Sequence, residues 1–344
     1  MDNITHSLIG AAVGDWIYKK EKVPSTSSKD QRRLWIVASI IGNNFPDLDV
    51  LYTKITPSPL GSLLHHRGHT HTLVGLIPQW LLIIGLLWIL RKPLRFDQLT
   101  KRDWKMAAVI SALGLALHIF ADFWNTYGIH PFFPFSYSWF YGDAIFIIEP
   151  FLWALLGGSL LATGVTILRF LPFILLCSLL VFGVRNDYLG VVSVAVAATI
   201  FTGVYLIRRQ LKHRWPAFAL TALLAMIGTS FFTSRYLRAE LTASAPTTHR
   251  VLDVALHPAP ASPFCWFVIR VAVTKQEYEV HRGVVSLFPN LLPTEECKTL
   301  GRISSKVLER SFLGSMEVIW SEAYITSLKK FEILKENCSA RAWM

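Results

Sequence analysis

Apolar residues gather into runs of helical length along the first two-thirds of the chain, at roughly 4–17, 34–45, 73–90, 106–126, 143–167, 171–184, 189–207 and 216–234. Several approach the ~20 residues that a bilayer-crossing helix needs. The first two are shorter and read as half-buried or re-entrant. Past about residue 241 the period changes. "ASAPTTHRVLDVALHPAPASPFCWFVIRVAV" alternates in the manner of strands and is broken by prolines, and "EYEVHRGVVSLFP" continues the pattern. The last 50 residues return to amphipathic helical spacing. The expected fold is mainly α: a polytopic helical membrane body over 1–240, followed by a small soluble α+β domain over 241–344.

Composition agrees with this pattern. Hydrophobic residues make up 52 % of the 344 and charged residues 17 %. The formal charge of +11 would suit a nucleic-acid partner, but Lys and Arg sit in short loops between apolar runs, so no nucleic acid is expected. The loops at 18–33, 91–105, 168–170 and 208–215 hold 17 of them, against 3 in the loops at 51–72, 127–142 and 185–188. The basic loops belong in the cytoplasm. The expectation is therefore a multi-pass protein of the bacterial cytoplasmic (inner) membrane, with its N-terminus and C-terminal domain outside. Acidic Asp2 and the lack of a basic leader argue against a cleaved signal peptide. Cys177, Cys265, Cys297 and Cys338 have no metal-site spacing. Cys297 and Cys338 could pair outside the cell, with Cys265 as competitor.

That orientation brings the polar clusters to one face. Asp2 and His6 open the first helix, and Asp47 and Asp49 follow Pro46 at the end of the second. "HHRGHTH" supplies His65, His66, His69 and His71 before the third. His118 and Asp122 are four apart on one side of the fourth, and Asp143 and Glu149 open the fifth. Ionisable groups in membrane helices are costly and usually functional, although a buried His–Asp bond could simply lock two helices. Imidazole with carboxylate suits a divalent ion, Zn²⁺ first, with Mn²⁺ or Fe²⁺ as alternatives, as one ion or two. Gly68 permits a tight loop. Arg67, among so many cation-binding groups, suits an anionic group such as a phosphate. His130 could line the outer mouth or pack beside aromatics. His213, His249, His257 and His281 read as surface or core residues.

Four motifs in order, "MDNITHSLIG", "FPDLDVLY", "HRGHTH" and "HIFADFWNTYG", resemble the YdjM-like, LexA-regulated, membrane-bound metal-dependent hydrolases. The resemblance covers roughly residues 1–160. It implies metal dependence and hydrolysis, with His6, Asp47, Asp49, His66, His71, His118 and Asp122 as the metal shell and Arg67 beside them. His65 and His69 are additional. The combined expectation is a membrane-embedded hydrolase opening at the outer face, acting on a lipid or lipid-linked ester, foremost a phosphoester. Asp49, Asp122 or Glu149 would take the proton, and Arg67 would clamp the anion. The alternative is an ion- or proton-coupled transporter using the same residues; a third reading is a metal-stabilised scaffold.

Overall fold

A computed structural model of the chain describes residues 1–21, 28–55, 66–160, 166–211, 214–300 and 307–336. Its first part is helical: α1 (Asn3–Lys20), α2 (Ser28–Asn44), α3 (Leu73–Ile89), α4 (Lys101–Phe123), α5 (Pro150–Leu160), α6 (Thr166–Arg185), α7 (Val191–Leu211) and α8 (Trp215–Ala243). Local signals start these helices where they begin. The Asp2 carboxylate accepts from the backbone N–H groups of Ile4 and Thr5 and caps α1. Thr100 and Asp103 form a reciprocal capping box on α4. Pro150, whose fixed φ and missing N–H suit a first turn, opens α5. The helix expected from 143 therefore starts at 150.

The close approach of α2 to α4 positions the site. A Cβ on Gly42 would lie 2.4 Å from the Ser111 carbonyl oxygen, and one on Gly114 2.8 Å from that of Ser39. Any larger residue would push the two backbones apart. On either side of this contact lie Asn43 and His118, which the pairing brings into hydrogen-bond range.

The second part is a five-stranded antiparallel sheet of order β1-β2-β3-β5-β4. Its strands are β1 (Arg250–Ala259), β2 (Ser262–Val273), β3 (Glu277–Ser286), β4 (Glu309–Leu313) and β5 (Met316–Ser327). Helices α9 (Thr294–Leu300) and α10 (Leu328–Glu336) accompany it. Helical spacing was expected over the last 50 residues, yet a hairpin occupies 309–327. Leu313 pairs with Met316, so Gly314-Ser315 is a two-residue turn with Gly314 at φ +61°, and β-branched and aromatic residues dominate the strand that follows. Cys265 of β2 is bonded to Cys297 of α9. This replaces the expected Cys297–Cys338 pairing; Cys338 lies outside the described residues.

Helix α8 ties the parts together. Its 29 residues extend about 43 Å, beyond the ~30 Å hydrocarbon thickness of a bilayer. At its far end Leu237 and Leu241 are fully buried against Val254, Leu256, Trp266 and Val268 of the sheet. Arg238 bridges Asp143 of the helical part (2.6 Å) and Asp253 of β1 (2.7 Å). Among the described residues, α4 and the Ala217–Ala243 stretch of α8 are long and apolar enough to cross a membrane. Leu73–Ile89, Phe173–Arg185 and Val191–Ile207 are apolar but shorter. The molecule is thus mostly helical with a small antiparallel-sheet C-terminal domain, and the described residues include two helices of membrane-crossing length and composition, fewer than the polytopic body expected.

Candidate metal centre

Pro46 stops α2 and opens a 3-10 turn, Pro46–Leu51, that carries Asp47 and Asp49. Another, His69–His71, presents His71. His118 and Asp122 come from one face of α4, and His6 from the first turns of α1. His6, Asp49, His71, His118 and Asp122 are fully buried.

Four of these side chains surround one point. The Nε2 atoms of His71 and His118 are 3.0 Å apart. From Asp47 Oδ1 they lie at 3.4 and 3.5 Å, and from Asp122 Oδ2 at 3.3 and 3.7 Å. Four donors each about 2.05 Å from a tetrahedral Zn²⁺ are separated by about 3.3 Å. The set Asp47, His71, His118 and Asp122 therefore has the spacing of an ion-binding cage.

The outer nitrogens fix the imidazoles in the orientation a metal needs. His118 Nδ1 lies 2.7 Å from the Asn43 carbonyl oxygen, a partner that can only accept. Nδ1 is therefore the donor, and the Nε2 lone pair turns inward. His71 Nδ1 lies 2.9 Å from Thr70 Oγ1, whose hydroxyl donates to Asp49 Oδ2 at 2.7 Å. Asp49 thus stands behind His71, the arrangement in which a carboxylate aligns and strengthens a ligating imidazole. His6 stacks on His118 with ring centroids 3.9 Å apart, and its Nε2 lies 3.3 Å from Asp122 Oδ1. Neither ring nitrogen of His6 has a hydrogen-bond partner despite complete burial. A bare polar cage would leave such atoms at a desolvation cost that a bound ion removes.

A second set, Asp47, Asp49 and His66, shares Asp47 with the first. His66 Nδ1 lies 2.9 Å from Asp49 Oδ1, and its side chain is 30 % exposed, which makes it the outward edge of the cluster. Burial pushes the Asp47 and Asp49 carboxyls up. The imidazoles of His118, His71 and His6 around Asp47, and His66, His71 and the Thr70 hydroxyl around Asp49, outweigh it and hold both well below the usual carboxylate range. Both acids are ionised at neutral pH, as metal ligands must be.

Arg67 joins this cluster through both backbone and side chain. Its N–H donates to Asp49 Oδ2 (2.9 Å), and its guanidinium reaches Asp122 Oδ2 (3.0 Å), Asn125 Oδ1 (3.1 Å) and the Gly128 carbonyl (2.8 Å). Burial pushes its pKa down to about 10, so it stays cationic. The left-handed residue of the loop is Arg67 itself (φ +61°), whereas Gly68 sits at φ −70°. Gly68, at ψ −116°, also lies outside the ordinary regions for residues with a side chain, as expected of a glycine in a tight loop, and the strain of a left-handed Arg67 is of the kind that concentrates at functional sites. The amino group of Met1 also donates to Asp122.

Other candidates lie elsewhere. Glu149 is not brought to the cluster: its carboxylate accepts from the N–H groups of Phe151 and, at 3.1 Å, Ala261 in the β1–β2 turn. It ties the sheet domain to the helices. His69 is exposed against Phe133, and His130 packs on Trp139 and Phe133. His65 and His213 fall outside the described residues. Asp2 is a helix cap. Asn43, Thr70 and Asn125 were not singled out from sequence as partners of the site, because a backbone carbonyl or a lone hydroxyl leaves no pattern there.

Glu149 has a consequence for stability. Burial raises its pKa to about 7, against the lowering effect of the two backbone N–H groups. The unfolded side chain releases its proton near pH 4.5, so the folded form binds more protons between about 4.5 and 7. Stability is highest below that window and falls as pH rises through it, by about 3 kcal/mol at most. Thermal melts of the purified chain should show a lower Tm at pH 8 than at pH 5. Glu149→Gln should flatten that difference; an unchanged difference would remove Glu149 as its source.

Residues 1–189, which include every member of the cluster, match the family described as YdjM inner membrane protein. The chain is also similar to the uncharacterized protein YfhP of Bacillus subtilis (strain 168), 29 % identical over 152 residues. That alignment covers 44 % of this chain and 43 % of YfhP, so the chain spans less than half of that relative's length. No solved structure matches the chain. With more than half of its length matched, the chain belongs to the YdjM inner membrane protein family.

Proposed function

We propose that this chain is a polytopic membrane protein of the inner membrane, and that its helical part, residues 1–240, is a metal-dependent hydrolase opening at the outer face. The substrate in this reading is a lipid or lipid-linked phosphoester. The observation that carries it is the inward pair of Nε2 atoms on His71 and His118, closed by Asp47 and Asp122 at ligand spacing. Asp47, His71, His118 and Asp122 would hold one ion, with His6 beside them, and Asp49 and His66 offer donors for a second. A bound Zn²⁺, the first choice for such a donor set, supplies Lewis acidity and activates water near neutral pH. In this reading the buried Asp49 takes a proton and the part-exposed His66, 2.9 Å from it, passes it to solvent. Arg67 faces the anionic group of the substrate.

Residues 241–344 form an outer domain in this reading. The Cys265–Cys297 bond favours an oxidising compartment, and the basic loops favour the same orientation. An ion pathway is the weaker alternative, because polar groups do not continue along α1. Between His6 and Asp15 every residue from Leu8 to Gly14 is apolar and buried, and Asp15 is neutralised by Lys19 and Arg32.

Metal analysis of the purified protein by mass spectrometry tests the reading, together with release of phosphorylated headgroup from lipids in nanodiscs. The wild type should hold stoichiometric metal and release headgroup, and His71→Ala/Asp122→Ala should do neither. Wild-type protein that binds no metal on reconstitution would sink it.

A further inference from the structure

An apolar cavity of about 400 Å³ lies between α1, α4 and α8. Val13, Trp16, Leu117, Phe120, Leu220 and Leu224 line it, and the polar side-chain groups of its wall are the Thr221 hydroxyl and the indole N–H groups of Trp16 and Trp124. One end reaches Met1 and Ala121, which adjoin the metal centre: Ala121 precedes Asp122 in α4, and the Met1 amino group donates to the Asp122 carboxylate. We propose that this cavity holds one acyl chain of an anionic lipid whose headgroup sits at the Arg67 end of the cluster. The inference rests on the phosphoester reading above and names the part of the substrate that the metal centre does not touch.

Several observations select this occupant. The cavity has a buried floor, including Leu152, Leu223 and Ile227, and an exposed apolar rim of Leu113, Phe120 and Leu224. The rim belongs to α4 and α8, the two helices among the described residues with the length and composition to cross a membrane, so a ligand can enter sideways from the bilayer. With almost no polar groups to hydrogen-bond water, such a space does not hold ordered water. From Met1 to Trp16 the wall runs about 22 Å at 1.5 Å per residue, which accommodates the ~15 Å depth of one leaflet. A partner helix about 10 Å across would need well over about 1,000 Å³ along that length, so the cavity is too narrow for one. A single alkyl chain fits. The charge pattern sets its direction: apolar at the Trp16 end, with the buried Arg67 guanidinium 3.0 Å from Asp122 at the other.

The test uses the full chain in nanodiscs with two phosphatidic acids, one carrying a photoactivatable diazirine at the chain terminus and one close to the glycerol. Labelled peptides are mapped by mass spectrometry, and metal content is measured on the same samples. The terminal probe should mark the Val13–Trp16 end and the other probe the Ala121 end. Leu220→Trp, which fills the cavity, should lose both marks and keep its metal; Leu220→Ala should keep both. If Leu220→Trp fails to fold, Leu224→Trp replaces it. Labels spread evenly over lipid-facing surfaces, or unchanged by the tryptophan, would overturn the subsite and leave the metal centre standing. Conversely, a wild type that carries the ordered labels but no metal would refute the hydrolase and leave the acyl site intact.

Discussion

Asp47→Asn should strip the protein of bound metal and of any hydrolytic activity, whereas Thr70→Val should only weaken metal binding. The two differ in their place around the ion. Asp47 has an oxygen in both candidate donor sets, so asparagine, of the same shape but neutral, degrades both at once. It also removes one of the negative charges from a cluster containing three buried imidazoles and the Arg67 cation, leaving Asp122, already paired with Arg67, as the one anionic ligand of the four-donor cage. Thr70 touches no donor atom of the cage directly. Its hydroxyl links Asp49 to His71 Nδ1, and valine leaves the ring in place but frees its tautomer. Loss of such an outer partner typically costs about 10–100-fold in metal affinity, and loss of Asp47 should exceed that range. Competition titration with a chromogenic chelator reads both. Equal losses in the two variants would show that the cage is not organised around Asp47, and full retention in Asp47→Asn would remove the site.

Much of this centre was legible in the sequence, for specific reasons. His118 and Asp122 lie four apart in an apolar helix, so both had to face one side. Pro46 had to end α2, which released Asp47 and Asp49 from the helix. What could not be read were partners whose chemistry leaves no pattern. The Asn43 carbonyl is available to His118 only because Gly42 and Gly114 let two backbones nearly touch. Glu149 reads like another member of the acidic set, but its direction is fixed by an N–H 112 residues away. The fold shows the same division. The helices of the first part follow from their apolar runs, with ends shifted by caps and Pro150. The β4–β5 hairpin was missed because charged residues such as Glu309, Glu317 and Glu322 mimic an amphipathic helix, while Gly314-Ser315 carried the turn signal.

Cys297→Ser should destabilise the sheet domain by about 4 kcal/mol, because the bond to Cys265 closes a loop of 32 residues and removes that much loop entropy from the unfolded chain. The native packing around it is already tight: Cys265 and Cys297 are fully buried with Val284 and Ile319, so serine also places an unpartnered hydroxyl in an apolar pocket. Chemical denaturation followed by tryptophan fluorescence reports this directly, since Trp266 and Trp320 lie in the sheet core. The same pair reports compartment. In protein taken from cells under acid quench, a thiol reagent should modify neither cysteine unless a reductant is added first. If both are free under those conditions while Cys177 behaves identically, the sheet domain faces a reducing compartment. The outer-face orientation of the metal centre would then fall with it, because α8 fixes the domain to the helical part through Leu237, Leu241 and Arg238.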